Sequence, residues 1–327
     1  MSKSEIVSVN QDFDKILLKG KGLFVFSDPG GAKPILSIAK FNLKNLSDCL
    51  IISDRLYPFY KEFDLEVENI SQSVEEYIDN FQPDFIFTGT SYSSKIELGF
   101  LKLAKERKIF SYAYVDHNTS IVERFQIGDQ FYFPDKILLK DIHAYDIAVD
   151  NGISKKKLMI IGNPFLRFIK KWTPKIDKEE FLSSVGIRNE GKVIVVYAPD
   201  PLTNIDWDEK FGFNEIEPTR IVNEVALELK KEYIFIFKPH PNQDLNLISQ
   251  DIICNMLVAD KMADSNLLIY FSDIVIGFFS NFLIEALEFD KKVIRFLPNG
   301  IINDPFSQNS NMNIIYTKKN LLYEIVN

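Results

Sequence analysis

The chain has 327 residues, long for one core and comfortable for two domains. Hydrophobic residues make up 46% and charged residues 26%, the balance of a globular protein rather than a disordered one. A formal charge of −8 and a pI near 5.1 argue against a nucleic-acid binder that relies on a broad basic face. The 2 cysteines, Cys49 and Cys254, give neither a disulfide framework nor a metal spacing, so a reduced, intracellular compartment is expected. The opening MSKSEIVSVNQDFD lacks the apolar core of a signal peptide, and no run reaches the ~18 apolar residues of a membrane span. A soluble, cytoplasmic or at most membrane-peripheral protein is the expectation.

Gly22–Ser27 reads as the first strand. Asp28-Pro29-Gly30-Gly31-Ala32-Lys33 follows, with a helix starting near Pro34. The pair Gly30-Gly31 lets backbone N–H groups approach an anion or a sugar, or serves as a tight turn. It is neither the dinucleotide fingerprint nor a P-loop. Cys49–Ser53 is a second strand, Val74–Phe81 a helix and Asp84–Thr88 a third strand. The next loop, Gly89-Thr90-Ser91-Tyr92-Ser93-Ser94, has hydroxyls to cap a helix over Lys95–Arg107 or to bind sugar hydroxyls. Ile109–Val115 ends in Asp116-His117-Asn118, a candidate base or acceptor-binding pair, or a purely structural one. Arg124 follows, suited to a carboxylate, a phosphate or a surface salt bridge.

Lys136–Leu139 is a fifth strand, and His143–Asn151 a helix capped by Gly152, with His143 at its surface. Leu158–Ile161 closes this half, and the crossing between domains falls within Phe168–Pro174. The second half runs through a helix near Lys178–Val185, strand Val193–Ala198, Pro199-Asp200-Pro201, a loop Leu202–Pro218 and helix Thr219–Lys230. Tyr233–Phe237 is an apolar strand stopped by Lys238-Pro239-His240-Pro241. Ile274–Ile276 leads through Gly277 to Ser280-Asn281 and a helical pattern carrying Glu285, then to strand Val293–Phe296. A loop over Asn299–Asn313, Ile314-Ile315-Tyr316 and helix Lys319–Val326 finish the chain. Strand–helix alternation in both halves predicts two α/β domains with parallel sheets.

In open parallel sheets ligands lie beyond the carboxyl ends of the strands. His240, Ser280, Asn281 and Glu285 all fall at or just after such ends. A histidine pinned between prolines is aimed at low entropic cost and can hydrogen-bond or protonate a departing phosphate. The helix start at Ser280 favours phosphate oxygens, and Glu285, one turn on, suits ribose hydroxyls. The plainer readings are a turn histidine, an N-cap and a surface charge.

KPHP followed by SDIVIGFFSNFLIEAL resembles the donor half of two-domain, GT-B type sugar transferases. The bacterial sialyl-, Kdo- and CDP-glycerol glycerophosphotransferases of capsule and wall polymers are the relatives it is most similar to. In that group an HP motif and a later Ser-Ser or Ser/Thr-rich turn grip the nucleotide phosphates. By this resemblance His240 is the HP histidine, Ser280-Asn281 the phosphate-gripping pair with Asn281 in place of the second serine, and Glu285 the acid of the following helix. Lys238 joins the donor phosphates, and Gly30 and Gly31 form the acceptor-side glycine loop. Ile160–Phe165, IIGNPF, resembles the segment that closes the first domain.

The resemblance implies an α/β fold of two Rossmann-like domains facing a cleft (GT-B type), with residues 1–168 for the acceptor and 169–327 for the nucleotide donor. It implies a glycosyltransferase or glycerophosphotransferase without a metal or other cofactor. The partners would be a CMP- or CDP-linked donor and a sugar or lipid-linked glycan acceptor, in surface polysaccharide synthesis. His240 would act at the donor, and Asp28 or the pair Asp116-His117 would supply the base. The alternative on the same fold is a UDP-sugar 2-epimerase or hydrolase, although the epimerases usually carry Gly-Gly where this chain has Ser-Asn. A catalytically silent binding subunit is the third reading.

Overall fold

The computed structural model describes residues 16, 18–91, 94–117, 120–187, 191–304, 306 and 312–327. Tyr92, Ser93 and Asn118, the opening residues 1–15 and part of the expected loop after Asn299 lie outside the described residues. The chain divides into two compact units, Met1–Phe168 and Ile169–Asn327.

In the first unit the elements run β1 (Gly20–Phe26), α1 (Pro29–Asn42), β2 (Leu46–Ser53), β3 (Glu68–Asn69), α2 (Val74–Phe81), β4 (Phe85–Thr88), α3 (Ile96–Arg107) and β5 (Phe110–Val115). A small antiparallel pair, β6 (Gln126–Ile127) and β7 (Gln130–Phe131), precedes β8 (Lys136–Leu139), α4 (Ile142–Asp150), β9 (Leu158–Ile160) and α5 (Pro164–Ile169). The main sheet has the order β3-β2-β1-β4-β5-β8-β9 and is parallel throughout. Phe24, Phe87 and Tyr112, on adjacent strands, stack their rings at 5.8 and 5.3 Å on one face. Leu23, Val25 and Ile86 point into the core on the other.

The second unit runs α6 (Lys178–Ser184), β10 (Val193–Ala198), α7 (Trp207–Phe211), α8 (Ile216–Leu229), β11 (Tyr233–Phe237), β12 (Leu257–Val258), α9 (Ser265–Phe271), β13 (Ile274–Gly277), α10 (Asn281–Glu288), β14 (Lys292–Phe296), β15 (Asn313–Ile315) and α11 (Lys318–Val326). Its sheet has the order β12-β11-β10-β13-β14-β15, again all parallel. β10 shows why an unbroken apolar run was needed. Val195 and Tyr197 enter the core on one face, while Ile194 and Val196 enter the core on the other.

Three expectations need correction. α1 begins at Pro29, not near Pro34, so Gly30 and Gly31 form its first turn instead of a loop. Pro29 needs no N–H at that position, and the Asp28 carbonyl accepts from Gly31 and Ala32 at 3.1 and 2.9 Å. Low helix propensity of the two glycines hid this turn in the sequence. The stretch Leu202–Pro218 contains α7 and the start of α8, with Pro218 tolerated in the first turn. The edge strands β3 and β12 and the helix α9 were not foreseen, because two-residue strands carry no periodicity to read. Among the described residues no helix is long and apolar enough to cross a membrane.

Phe87 is fully buried between the Phe24 and Tyr112 rings, so Phe87→Ala should destabilise the first unit by about 3–5 kcal/mol. Urea denaturation followed by intrinsic fluorescence measures it; a loss below about 1 kcal/mol would show that the ring stack contributes little.

Candidate functional site

Both sheets start in an inner strand and then grow outward in two directions. β10 is flanked by β11 and by β13, so the chain reverses its winding between β10 and β13. Loops leaving these two strands turn to opposite faces, and their carboxyl ends are where such sheets hold ligands. Gly277, the last residue of β13, has no Cβ because one would stand 2.8 Å from the Ala198 carbonyl of β10. That close approach brings the loop before α10 against the end of β10.

The loop after β11 fixes His240 through its own turn. The His240 carbonyl accepts from Gln243 N at 2.8 Å, and its Nδ1 accepts from Asn242 N at 3.1 Å. An Nδ1 that accepts carries no proton, so the hydrogen of the neutral ring sits on Nε2. Burial, with the Lys238 ammonium adding to it, lowers the imidazole pKa to about 4. His240 is therefore a neutral Nε2–H hydrogen-bond donor at physiological pH. It is a turn histidine that carries its hydrogen on Nε2.

Lys238 is 5% exposed and ties the loop together, giving hydrogen bonds of 2.9 Å to both the Pro239 and Lys261 carbonyls. Gln243 is buried and donates to Glu215 at 2.8 Å, which also accepts from Thr203 N and Oγ1 at 2.9 and 2.5 Å.

Ser280 is the N-cap of α10 but makes no capping bond, and its Oγ is buried without a hydrogen-bond partner. A buried hydroxyl left unpaired is costly unless a ligand completes it. Asn281 is exposed, and Glu285 is 5% exposed, so Glu285 is no surface charge.

Sequence reasoning passed over Asp200, Arg295 and Glu215. Asp200 is buried at the end of β10, where Oδ2 accepts from Phe279 N at 3.1 Å. Burial raises its pKa to about 7 despite the Phe279 N–H and the Arg295 charge. The signal was present: Pro199-Asp200-Pro201 repeats the proline–titratable–proline pattern of Pro239-His240-Pro241. Arg295, buried in β14, pairs with Asp304 through both arms at 2.9 and 2.6 Å. Nothing in a strand reading KVIRF distinguishes such an arginine from an edge charge.

In the first unit the reversal lies between β1 and β4. Gly31, in the first turn of α1, packs against Gly89 after β4, where a Cβ would be in ordinary contact 3.5 Å from the Gly89 Cα. A Cβ on Gly30 would collide with the Asp116 carboxylate. Asp28 accepts from Arg55 Nη1 at 2.9 Å. Asp116 accepts from Arg124 Nη1 at 3.3 Å, and the same nitrogen donates to the Thr90 carbonyl. Arg124 is thus no surface salt bridge, since its side chain is largely buried. His117 and His143 are exposed.

The described loop hydroxyls after β4 have internal tasks. Thr90 Oγ1 donates to the Tyr114 carbonyl at 3.1 Å, and Ser94 Oγ donates to Asp54 at 2.7 Å and accepts from Ile96 N at 3.2 Å. Ser91 donates to Glu97 from N and Oγ at 3.1 and 2.8 Å. Glu97 was also missed; buried in the first turn of α3, its carboxyl is pushed up to about 7 by burial.

The neutral state of His240 is directly testable. Its ring signals in proton–nitrogen correlation spectra should stay constant from about pH 8 down to about pH 6 and show the Nε2–H tautomer. A midpoint near the ordinary histidine value would show that the ring is solvated and not held as described.

Comparison with known proteins bears on this geometry. Residues 147–300 match the family model for CDP-Glycerol:Poly(glycerophosphate) glycerophosphotransferase. No curated protein matches the chain significantly in sequence. The UDP-GlcNAc 2-epimerase of Methanocaldococcus jannaschii is similar with a TM-score of 0.64 at 12% identity, over 94% of this chain and 92% of that one. The Neisseria meningitidis UDP-GlcNAc 2-epimerase, solved with UDP-GlcNAc, gives 0.62 at 13%, over 94% and 90%. Anabaena Alr3699/HepE, solved with UDP-glucose, gives 0.60 at 13%, over 94% and 89%. The chain has the Rossmann-like, two-domain fold of GT-B type proteins, and its similarity to the glycerophosphotransferase family lies over the half that carries His240, Ser280 and Asp200.

Proposed function

We propose that the chain is a transferase that takes a nucleotide-activated donor, linked through CMP or CDP, and hands its sugar or glycerophosphate to a hydroxyl of a glycan acceptor. The unpartnered, buried Ser280 hydroxyl at the start of α10 carries this reading. It stands with free helical N–H groups at the reversal point of a parallel sheet, a setting suited to phosphate oxygens. The glycerophosphotransferase match over residues 147–300 supports the cytidine nucleotide.

In this reading the α10 terminus and Ser280 hold the donor phosphates, and His240 Nε2–H donates to the leaving phosphate oxygen. A neutral imidazole stabilises the developing charge by a hydrogen bond without giving up its proton at once. Glu285 receives ribose hydroxyls. Lys238 keeps the His240 loop in place through its carbonyl contacts. The acceptor falls to the first unit. Gly30 and Gly31 lie there in the first turn of α1, and Asp28, Asp116 and His117 are the candidate bases. No metal is assigned a part, so a chelator should leave the rate unchanged. The reaction takes place in the cytoplasm, peripheral to the membrane where the acceptor is lipid-linked.

The second reading is a UDP-sugar 2-epimerase or hydrolase, favoured by the fold likeness to the epimerases of M. jannaschii and N. meningitidis. Thermal-shift titration with CMP, CDP, UMP, UDP and GDP separates the two. CMP or CDP should raise the melting temperature, a ligand at 100 times its Kd adding about 2.7 kcal/mol. His240→Ala and Ser280→Ala should each weaken binding by roughly 1.5–3 kcal/mol, the range of a hydrogen bond to a charged group. A response to UDP alone, with epimerisation or release of UDP without acceptor, would favour the second reading. No response to any nucleotide by folded protein would sink the donor site.

A further inference from the structure

The Phe278–Phe279 peptide group, one peptide before Ser280, is held at both of its ends. Its N–H, from Phe279, donates to Asp200 Oδ2 at 3.1 Å. Its carbonyl, from Phe278, accepts from Arg295 Nε at 2.6 Å. Rotation of this peptide would break both hydrogen bonds together, and both partners are buried ionisable groups for which a lost partner is costly. The backbone that leads into Ser280 is thereby anchored from the end of β10 on one side and from β14 on the other.

The charges around this peptide do not cancel. Arg295 is already balanced by the two-armed pair with Asp304. From the start of α8, the Glu215 carboxylate adds negative potential at Asp200. The loop after β11 contributes Lys238, whose ammonium donates to the Pro239 and Lys261 carbonyls, and His240, which is neutral. From the side of α10, the Asp200 carboxyl receives the Phe279 N–H, a neutral dipole. A phosphate dianion arriving at Ser280 meets a buried acid one peptide away.

We propose that Asp200 is a positioning residue of the phosphate site at the start of α10, and that its carboxyl takes up one proton from solvent when a phosphate dianion binds there. The inference rests on the donor-site reading given above. Protonation removes the like-charge repulsion without undoing the geometry, because the carbonyl oxygen of a neutral carboxyl still accepts from Phe279 N. The proton joins a carboxylate oxygen, and no other bond changes. The ordinary cost of protonating an aspartate at neutral pH is small here, since burial has already moved this group to about 7.

Isothermal titration of CMP and CDP at about pH 8, in buffers of different ionisation enthalpy, counts the protons. At that pH the free nucleotides already carry their full phosphate charge. Wild type should take up roughly one proton per nucleotide, and its affinity should fall by up to about tenfold per unit as pH rises above about 7. Asp200→Asn, which keeps an acceptor for Phe279, should take up none and lose the pH dependence. Asp200→Ala, which lacks the acceptor, should bind more weakly at every pH. A merely structural role would leave the proton count unchanged between wild type and Asp200→Asn. Binding by wild type without proton uptake, or with equal uptake in Asp200→Asn, overturns the inference and leaves the donor site standing. Failure of every nucleotide to bind folded wild type overturns both. The wild-type measurement decides even where a variant does not fold.

Discussion

A parallel sheet that begins in an inner strand must reverse its winding, and both units are arranged around that constraint. Right-handed crossovers carry the chain outward on one face and then, after the reversal, on the other. The two strands at the reversal therefore send their loops in opposite directions, leaving backbone ends that no neighbouring loop covers. β1 and β4 occupy these places in the first unit, β10 and β13 in the second. In the second, Gly277 permits the backbone to draw close to the Ala198 carbonyl, and in the first Gly31 packs against Gly89. Asp28 follows β1, Asp200 follows β10 and Ser280 follows β13.

The units differ in the polar groups that follow their strands. The second unit offers donors: the Ser280 hydroxyl, the first N–H groups of α10 and the Nε2–H of His240. Two of its acids are turned to structural use, Glu215 by Thr203 and Gln243, Asp304 by Arg295. The first unit offers acceptors, with Asp28, Asp116 and Glu97 near the ends of β1, β5 and β4. Arg55 and Arg124 partly balance two of them. A set of donors suits an anion, and a set of acceptors suits hydroxyl groups.

Much of the scaffold was legible because two-sided burial leaves a plain mark in sequence. Val193–Ala198, Tyr233–Phe237 and Lys136–Leu139 are continuous apolar runs, and the strands have those bounds. Val74–Phe81 was equally plain, with Ser73 and Glu76 forming its capping box. Gly30 and Gly31 misled, since glycine argues against helix locally while Pro29 and the Asp28 carbonyl start one regardless. For the site, the prolines around His240 were the visible mark, because a ring on so stiff a loop is held in one direction. The same prolines flank Asp200, yet an acid in a loop is commonplace, and only its burial distinguishes it. Arg295 was beyond reach, because its partners Phe278 and Asp304 are brought to it by the sheet and not by sequence spacing.

The hydrogen bond from Phe279 to Asp200 spans 79 residues of sequence. It joins the ends of β10 and β13, which pair directly although β11 lies between them in sequence. Sheets of this kind fold slowly, since chain entropy must be surrendered before distant strands repay it. On a growing chain β10 emerges long before β13, and its apolar edge waits for a partner not yet made. A chain halted before β14 would have the helix without the Arg295 hydrogen bond that holds the Phe278 carbonyl before it.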